Sequence, residues 1–403
     1  MCLIFFHTSL WAGQGQNTIY LWRLYQYRMR RVSSYMKLNI PEYISSINPY
    51  EPGRPIEAIE REYGIKNSVK LASNENPLGP SPKAVAAVQK HLANMHRYPD
   101  GSGHVLTGML AQKYGVNSEN VVIGNGSDDL IALLAQGFLG RGDEALMPLP
   151  SFLMYEISVK VAGGVPVMVP LKGLDIDLDA ILSGITPRTT MIFLTNPNNP
   201  TGSHITKEVL TDFMKEVPEN VLVIMDEAYI EFARDKAIFD ALASPLEDPR
   251  IISLRTFSKA YGLAGFRVGY GIMDSPIAQI LHRVRQPFNV NSLAQVAAAA
   301  ALNDHEFLHQ SVKTMHQGID FLQEQLAGMG IQSFPTQGNF FLLDVRMDAG
   351  VVFQKMLAQG VIVRSMKSYG FKTYLRISAG LEEENRRFLR VLEQLLSEVG
   401  GMA

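Results

Sequence analysis

The sequence predicts an α/β protein: a large unit built on a mainly parallel sheet flanked by helices, followed by a smaller α+β unit. Three observations predict it. From about Val121 to Gly271 short apolar runs alternate with helix-length segments, the pattern of a parallel sheet with helices on its faces. Four of those runs end in a polar cluster, and in an open parallel sheet ligands sit beyond the carboxyl ends of the strands. After about Asn291 the texture changes to an alanine-rich helix, a long helical stretch and scattered strands.

The elements follow in order. The segment from about Ile40 to Leu78 carries Pro41, Pro49, Pro52, Pro55 and Pro77, too many for regular structure beyond one short helix near Ile56 to Tyr63. Val121-Val-Ile123 runs into Gly124-Asn-Gly126-Ser127-Asp128 and then an apolar helix, Leu130 to Leu139. Ala145 to Met147 is strand-like and precedes Pro150-Ser-Phe152. Met191 to Leu194 leads to Thr195-Asn-Pro-Asn-Asn199-Pro-Thr-Gly202, and Val221 to Met225 leads to Asp226-Glu-Ala-Tyr229. Ile251 to Leu254 leads to Ser258-Lys259 and then Gly265-Phe-Arg267-Val-Gly269. Beyond Asn291 come a helix over Ala294 to Leu302 and strands around Phe340 to Val345, Val361 to Val363 and Tyr374 to Ile377. Phe388, Leu392, Leu395 and Val399 recur at helical spacing, so the last twenty residues make an amphipathic closing helix. The expected division is an extension over 1–35, an arm over 36–78 that joins the smaller unit, a large domain over 79–290 and a small domain over 291–403.

Composition narrows the class of partner. A formal charge of -2 over 403 residues gives no electrostatic footprint for nucleic acid or an anionic membrane, which favours a small molecule. The single cysteine, Cys2, excludes an intramolecular disulfide and fits a reducing compartment, so a cytoplasmic location is expected. No apolar run approaches the roughly 18 to 20 residues of a membrane-spanning helix. Residues 1–35 differ from the rest: Arg23, Arg28, Arg30 and Arg31 stand there without an acid, and Trp11 and Trp22 are the only tryptophans. The flanks of Leu3-Ile4-Phe5-Phe6 do not suit a signal peptide, so the segment is expected to be a poorly ordered extension, or an over-called start ahead of Met36; a basic presequence is the other reading.

The clusters carry chemistry if they converge. Lysine amines form imines with carbonyls only when unprotonated, so Lys259, partly desolvated and near Arg267, suits a Schiff-base nucleophile; a solvated loop lysine is the alternative. Gly124-Asn-Gly126-Ser127-Asp128 before a helix suits a phosphate cradle, or a plain structural turn. Arg267 completes an anion site with paired hydrogen bonds, and Thr256 or Ser258 adds a hydroxyl; an ion pair elsewhere is the alternative for Arg267. Asp226 closes an apolar run, so its carboxylate needs a cationic partner such as a protonated ring nitrogen, unless it is a helix cap or salt bridge. Asn199 and Tyr229 offer a donor pair for a ring oxygen, although Asn199-Pro-Thr-Gly202 also reads as a turn. Phe152 either lies on an aromatic ring or belongs to the core. The nine histidines form no metal-ligand pattern, and no metal is expected.

Asn199-Pro-Thr-Gly202, Asp226-Glu-Ala-Tyr229, Ser258-Lys259 and Gly265-Phe-Arg267-Val-Gly269, in that order and spacing, resemble the fold-type I, aspartate-aminotransferase-like pyridoxal phosphate enzymes. The resemblance implies a mainly parallel seven-stranded sheet and pyridoxal 5'-phosphate as cofactor. It implies Lys259 as the lysine joined to the cofactor and as the catalytic base and acid, and Asp226 on the pyridine nitrogen. Asn199 and Tyr229 would hold the ring oxygen, Ser127, Asp128, Thr256, Ser258 and Arg267 the phosphate, and Phe152 would stack on the ring. Within that group the chain from about Ile40 is similar to the histidinol-phosphate aminotransferases, through Asn48-Pro-Tyr50-Glu-Pro-Gly53, Ala72-Ser-Asn-Glu-Asn-Pro77, Arg97-Tyr98-Pro-Asp100 and the arginines Arg364 and Arg376. That likeness implies a homodimer in which Tyr98 reaches the cofactor phosphate of the neighbouring subunit, with Tyr50, Asn74, Arg364 and Arg376 binding substrate. Phe152 stands where some members have tyrosine, which keeps the stacking and removes a hydroxyl. The implied reaction moves an amino group from histidinol phosphate to 2-oxoglutarate in histidine biosynthesis. An aromatic-amino-acid aminotransferase or a threonine-phosphate decarboxylase of the same fold is the alternative. A transcription regulator with an aminotransferase-like domain would need a DNA-binding module of about sixty residues that the 35-residue lead cannot hold.

Overall fold

A computed structural model describes residues 38–49 and 55–400. The extension expected over 1–35 and Tyr50 lie outside the described residues. The described residues up to Ile47 belong to one compact unit, which carries a single turn of helix, Glu42–Ser45; the chain from Asn48 belongs to a second.

Strands of the second unit are β1 (Val69–Lys70), β2 (Val121–Gly124), β3 (Glu144–Leu149), β4 (Val165–Pro170), β5 (Thr189–Thr195), β6 (Leu222–Asp226) and β7 (Ile251–Thr256). There follow β8 (Gly269–Ile272), β9 (Gln332–Ser333), β10 (Phe340–Asp344), β11 (Val361–Ile362), β12 (Arg364–Ser365) and β13 (Tyr374–Ser378). A seven-stranded sheet takes the order β2-β8-β7-β6-β5-β3-β4. Its pairings are parallel except around β8, which opposes both β2 and β7. The mainly parallel sheet is therefore present as expected.

Alternate side chains of the central strands serve two cores. Met191 and Phe193 of β5 pack with Leu130, Leu134, Ile277 and Leu281 on one face. Ile192 and Leu194 meet Ile181, Leu210, Phe213 and Met214 on the other. A strand covered on both faces is apolar at successive positions, which is why these runs read as continuous in the sequence. β8 gave no such signal. It is Gly269-Tyr270-Gly271-Ile272, and a Cβ on Gly269 would stand 2.6 Å from the Ser127 amide nitrogen, so close packing selects glycine where a strand would otherwise show a β-branched residue.

A four-stranded antiparallel sheet, β12-β13-β10-β9, and the parallel pair β1-β11 make a second layer system. Met315, Ile319, Leu322 and Leu326 from helix His305–Gly328, and Phe388, Leu392 and Leu395 from helix Glu382–Gly400, bury against Phe341, Leu343, Leu375 and Ile377. Each such side chain contributes about 2 kcal/mol on full burial. The helix Ser292–Leu302 follows the expected boundary at residue 291. Ala294, Ala297 and Ala301 pack with Ala84, Leu106, Leu110 and Val121, so this helix belongs to the packing of the large sheet; texture changes one helix before packing partners do.

Strand register positions the chemistry. Thr195 pairs with Asp226, and Asp226 with Leu254, across β5, β6 and β7. Thr256 and Gly124 both pair with Gly269. Four clusters separated by over a hundred residues thereby share one edge of the sheet.

Candidate active site

These strand ends open on a cavity of about 230 Å³. Ser127, Asp128, Phe152, Asn199, Asp226, Tyr229, Thr256, Ser258, Lys259 and Arg267 all line it. A larger cavity, about 750 Å³, lies between helix Lys207–Glu216 and residues 236–251 and contains none of those clusters, so size does not mark the chemistry here.

One wall is an anion cradle. Helix Ser127–Phe138 follows Gly126, and no side chain caps its start, which leaves the amides of its first turn open toward the cavity. Gly126 has φ +87°, a backbone that favours glycine, and a Cβ there would stand 2.6 Å from Arg267 Nη2 and push the guanidinium aside. Arg267 donates to the Ala264 carbonyl at 3.1 Å and to Ser258 Oγ at 3.5 Å, and meets Asp128 Oδ2 at 3.4 Å. The Ser258 amide donates to Thr256 Oγ1 at 3.1 Å. Cation, hydroxyls and helix amides thus face one point.

Lys259 stands opposite. Its Nζ donates to the Ser73 carbonyl at 3.2 Å and lies 5.6 Å from the centre of the Tyr229 ring. Burial, reinforced by the positive charge of Arg376, lowers its pKa to about 8. An amine near neutrality is a nucleophile and a proton carrier.

Asp226 is buried at 3% exposure, and burial pushes its carboxyl up to about 6. Oδ2 accepts the Tyr155 hydroxyl at 2.7 Å and Oδ1 the Ala228 amide at 3.2 Å, while no lysine or arginine among the described residues pairs with it. A buried carboxylate facing a cavity without a counter-charge fits a cationic guest. Tyr229 Oη accepts from Asn74 Nδ2 at 3.0 Å and Asn199 Nδ2 at 3.4 Å, so its own proton remains to be donated. Arg376 holds Asn199 in turn, with Nη1 on Asn199 Oδ1 at 2.6 Å and Nη2 on the Ala72 carbonyl at 2.8 Å.

The sequence profile of the family "Aminotransferase class I and II" matches residues 66–392. The chain belongs to that family. Histidinol-phosphate aminotransferase of Desulfotalea psychrophila is 47% identical over 367 residues, which cover 90% of this chain and 97% of that one. The enzyme of the same name from Moorella thermoacetica is 45% identical over 357 residues, 88% of this chain and 92% of the relative. Among solved structures, histidinol-phosphate aminotransferase from Sinorhizobium meliloti, in complex with pyridoxal-5'-phosphate, superposes with a TM-score of 0.82 at 27% identity, covering 90% of this chain and 98% of that chain.

In this class I and II aminotransferase the remaining expected residues are not all brought to the cavity. Asn74 and Arg376 stand one layer back, through their bonds to Tyr229 and Asn199. Arg364 sits on β12 directly opposite Arg376 on β13. Tyr98 is 84% exposed, stacked on Phe288 at 4.9 Å between ring centres, and does not line the cavity. Tyr50 lies outside the described residues.

Sequence reasoning passed over five contributors. Ser73 and Glu75 line the cavity on either side of buried Asn74, within a segment read only as a motif. Thr195 lines it too, and its signal was its place as last residue of an apolar run, like Asp226. Tyr155 follows Phe152 by one helical turn, and that spacing was its only signal. Glu227 takes the opposite face of the sheet from its neighbour Asp226 and binds Arg255 Nε at 3.1 Å and Ser253 Oγ at 2.6 Å behind the site.

Proposed function

We propose that this aminotransferase moves the amino group of L-histidinol phosphate to 2-oxoglutarate, giving imidazole acetol phosphate and L-glutamate in histidine biosynthesis, with pyridoxal 5'-phosphate as cofactor. The observation that carries it is the high identity to curated histidinol-phosphate aminotransferases over nearly the whole of both chains. The site supports the chemistry: an anion cradle, a lysine with lowered pKa and a buried carboxylate without a counter-charge share one cavity. Pyridoxal phosphate, when bound, supplies an electron sink in its protonated ring.

The side chains divide the work. The amides of Ser127 and Asp128, with Thr256, Ser258 and Arg267, would hold the phosphate. Asp226 would keep the ring nitrogen protonated, Asn199 and Tyr229 would hold the ring oxygen, and Phe152 would cover the ring. Lys259 Nζ would anchor the cofactor, and as an amine near neutrality it would carry the proton on and off the substrate carbon that bears the amine. Asn74, Arg364 and Arg376, with Tyr50, bind substrate; paired arginines suit both a phosphate dianion and the carboxylates of glutamate.

A homodimer completes the site. Tyr98 and Phe288, with Leu92, Met95 and Val105, expose large apolar side chains, and Asn289 beside Phe288 binds the Ile123 carbonyl at the foot of the cradle. Such an exposed group suits a partner subunit, with Tyr98 reaching the neighbouring phosphate. A cytoplasmic location agrees with the single cysteine. The test is glutamate formation from 2-oxoglutarate with histidinol phosphate, phenylalanine and threonine phosphate as competing amines. Turnover with histidinol phosphate should dominate; turnover of phenylalanine with none of histidinol phosphate would overturn the substrate assignment.

A further inference from the structure

Behind the Asp226 carboxylate runs a row of hydroxyl groups. Tyr155 Oη donates to Asp226 Oδ2 at 2.7 Å and lies 2.7 Å from Thr195 Oγ1, which lies 3.1 Å from Ser151 Oγ. All are buried, with Tyr155 at 0% and Thr195 at 1% exposure. Each hydroxyl has one proton. Since Tyr155 gives its proton to the carboxylate, Thr195 is the donor to Tyr155; Ser151 Oγ lies beside Thr195 and also faces Asn198 Oδ1 as a donor at 3.5 Å. The Thr195 and Tyr155 O–H bonds point one way, toward Asp226, and bonds aligned in series polarise one another.

Packing fixes the row in place. The Tyr155 ring stacks on Phe193 at 4.8 Å and 10°, and meets Phe152 edge-on at 5.6 Å. Thr195 and Asp226 are register partners on adjacent strands, so the Tyr155 hydroxyl bridges the ends of β5 and β6. With Oδ1 held by the Ala228 amide, each carboxylate oxygen has one donor from the protein, and the plane of the carboxylate cannot turn without breaking one of them.

We propose that Tyr155 is a positioning residue for the reaction, which fixes the orientation and the negative charge of Asp226 with Thr195 behind it as donor to the Tyr155 hydroxyl. The inference rests on the reading of Asp226 as the partner of the cofactor's ring nitrogen. Tyr155→Phe keeps the ring and its packing on Phe193 and removes only the hydroxyl.

The test has three readouts. In cofactor-free protein, the Asp226 carboxyl followed by carbon NMR should titrate at higher pH in Tyr155→Phe, because a donor to the charged form has gone. The dissociation constant of pyridoxal phosphate should rise about tenfold or more, the effect of losing one hydrogen bond to a charged group, and kcat should fall while KM for the amine stays at the parent value. In an Asp226→Asn background, Tyr155→Phe should add nothing to the loss of cofactor affinity, since no charge is left to stabilise. Thr195→Val should raise the Asp226 titration as well, whereas Thr195→Ser, which keeps a hydroxyl, should not; this pair also serves if Tyr155→Phe folds poorly. Parent titration and parent affinity in Tyr155→Phe, or a loss that persists undiminished beside Asp226→Asn, would overturn the proposal. Parent affinity in Asp226→Asn alone would overturn the reading of Asp226 instead, and the two failures are distinct.

Discussion

Replacing Lys259 with methionine tests the electrostatics of the site with neither cofactor nor substrate present. Burial and Arg376 bring this lysine from 10.5 to about 8. A lysine whose folded-state pKa is depressed costs stability. Between the two pKa values the unfolded chain binds more protons than the folded one, so stability rises with pH across that interval. The cost is complete well below pH 8, shrinks from there to 10.5 and vanishes above it. At 1.36 kcal/mol per unit, it amounts to about 3 kcal/mol near pH 7 and about 2 kcal/mol near pH 9. Methionine is unbranched, similar in length and uncharged, so the cofactor-free variant should be more stable than the parent at pH 7. The gain should fall short of the full cost, because the bond from Nζ to the Ser73 carbonyl is lost. Its dependence on pH is the sharper test: the advantage of the variant should shrink by about 1 kcal/mol between pH 7 and pH 9. Urea unfolding of both proteins at the two pH values, with cofactor removed, measures it, and every other titrating group cancels in the difference. An advantage equal at both values, or a variant less stable than the parent at pH 7, would refute a lysine poised near neutrality.

Three further outcomes are expected. Gly126→Ala places a Cβ 2.6 Å from Arg267 Nη2 at φ +87°, so fluorescence titration should show pyridoxal phosphate binding weakened about tenfold or more; unchanged affinity would remove the cradle from the site. Arg376→Gln removes the cation that helps depress Lys259 and the support of Asn199, so the rate at which cofactor-free protein captures pyridoxal phosphate should rise with pH later than in the parent; a profile that stays put or moves to lower pH would contradict the assigned repulsion. Tyr98→Ala alters an exposed side chain, yet cofactor affinity should drop several-fold while the melting curve of dilute cofactor-free protein stays unchanged; parent affinity would argue against a tyrosine shared between subunits.

Much of the site was legible because its residues sit at strand ends. Asp226, Thr256 and the loop after Gly124 each close an apolar run, and a polar group at that place in a parallel sheet has few structural reasons to be there. The helix over Ile56 to Tyr63 was equally plain, as the one short helix the proline-rich segment could hold. Tyr155 was hidden for the opposite reason. An aromatic residue on an apolar helix reads as core, and it is core; only the position of its hydroxyl relative to Asp226 gives it a second role. Glycine-rich β8 escaped because its composition answers to the helix packed against it, which no local pattern records.

By itself the sequence determined the family and the parallel sheet, because hydrophobic period and cluster spacing are local quantities that survive without coordinates. Tertiary structure alone decided which groups share a cavity, since strand register brings residues such as Gly124 and Thr256 to the same edge. It also decided the protonation of the site. Lys259 at about 8 and Asp226 at about 6 owe those values first to burial, and burial belongs to the packed chain rather than to any stretch of it.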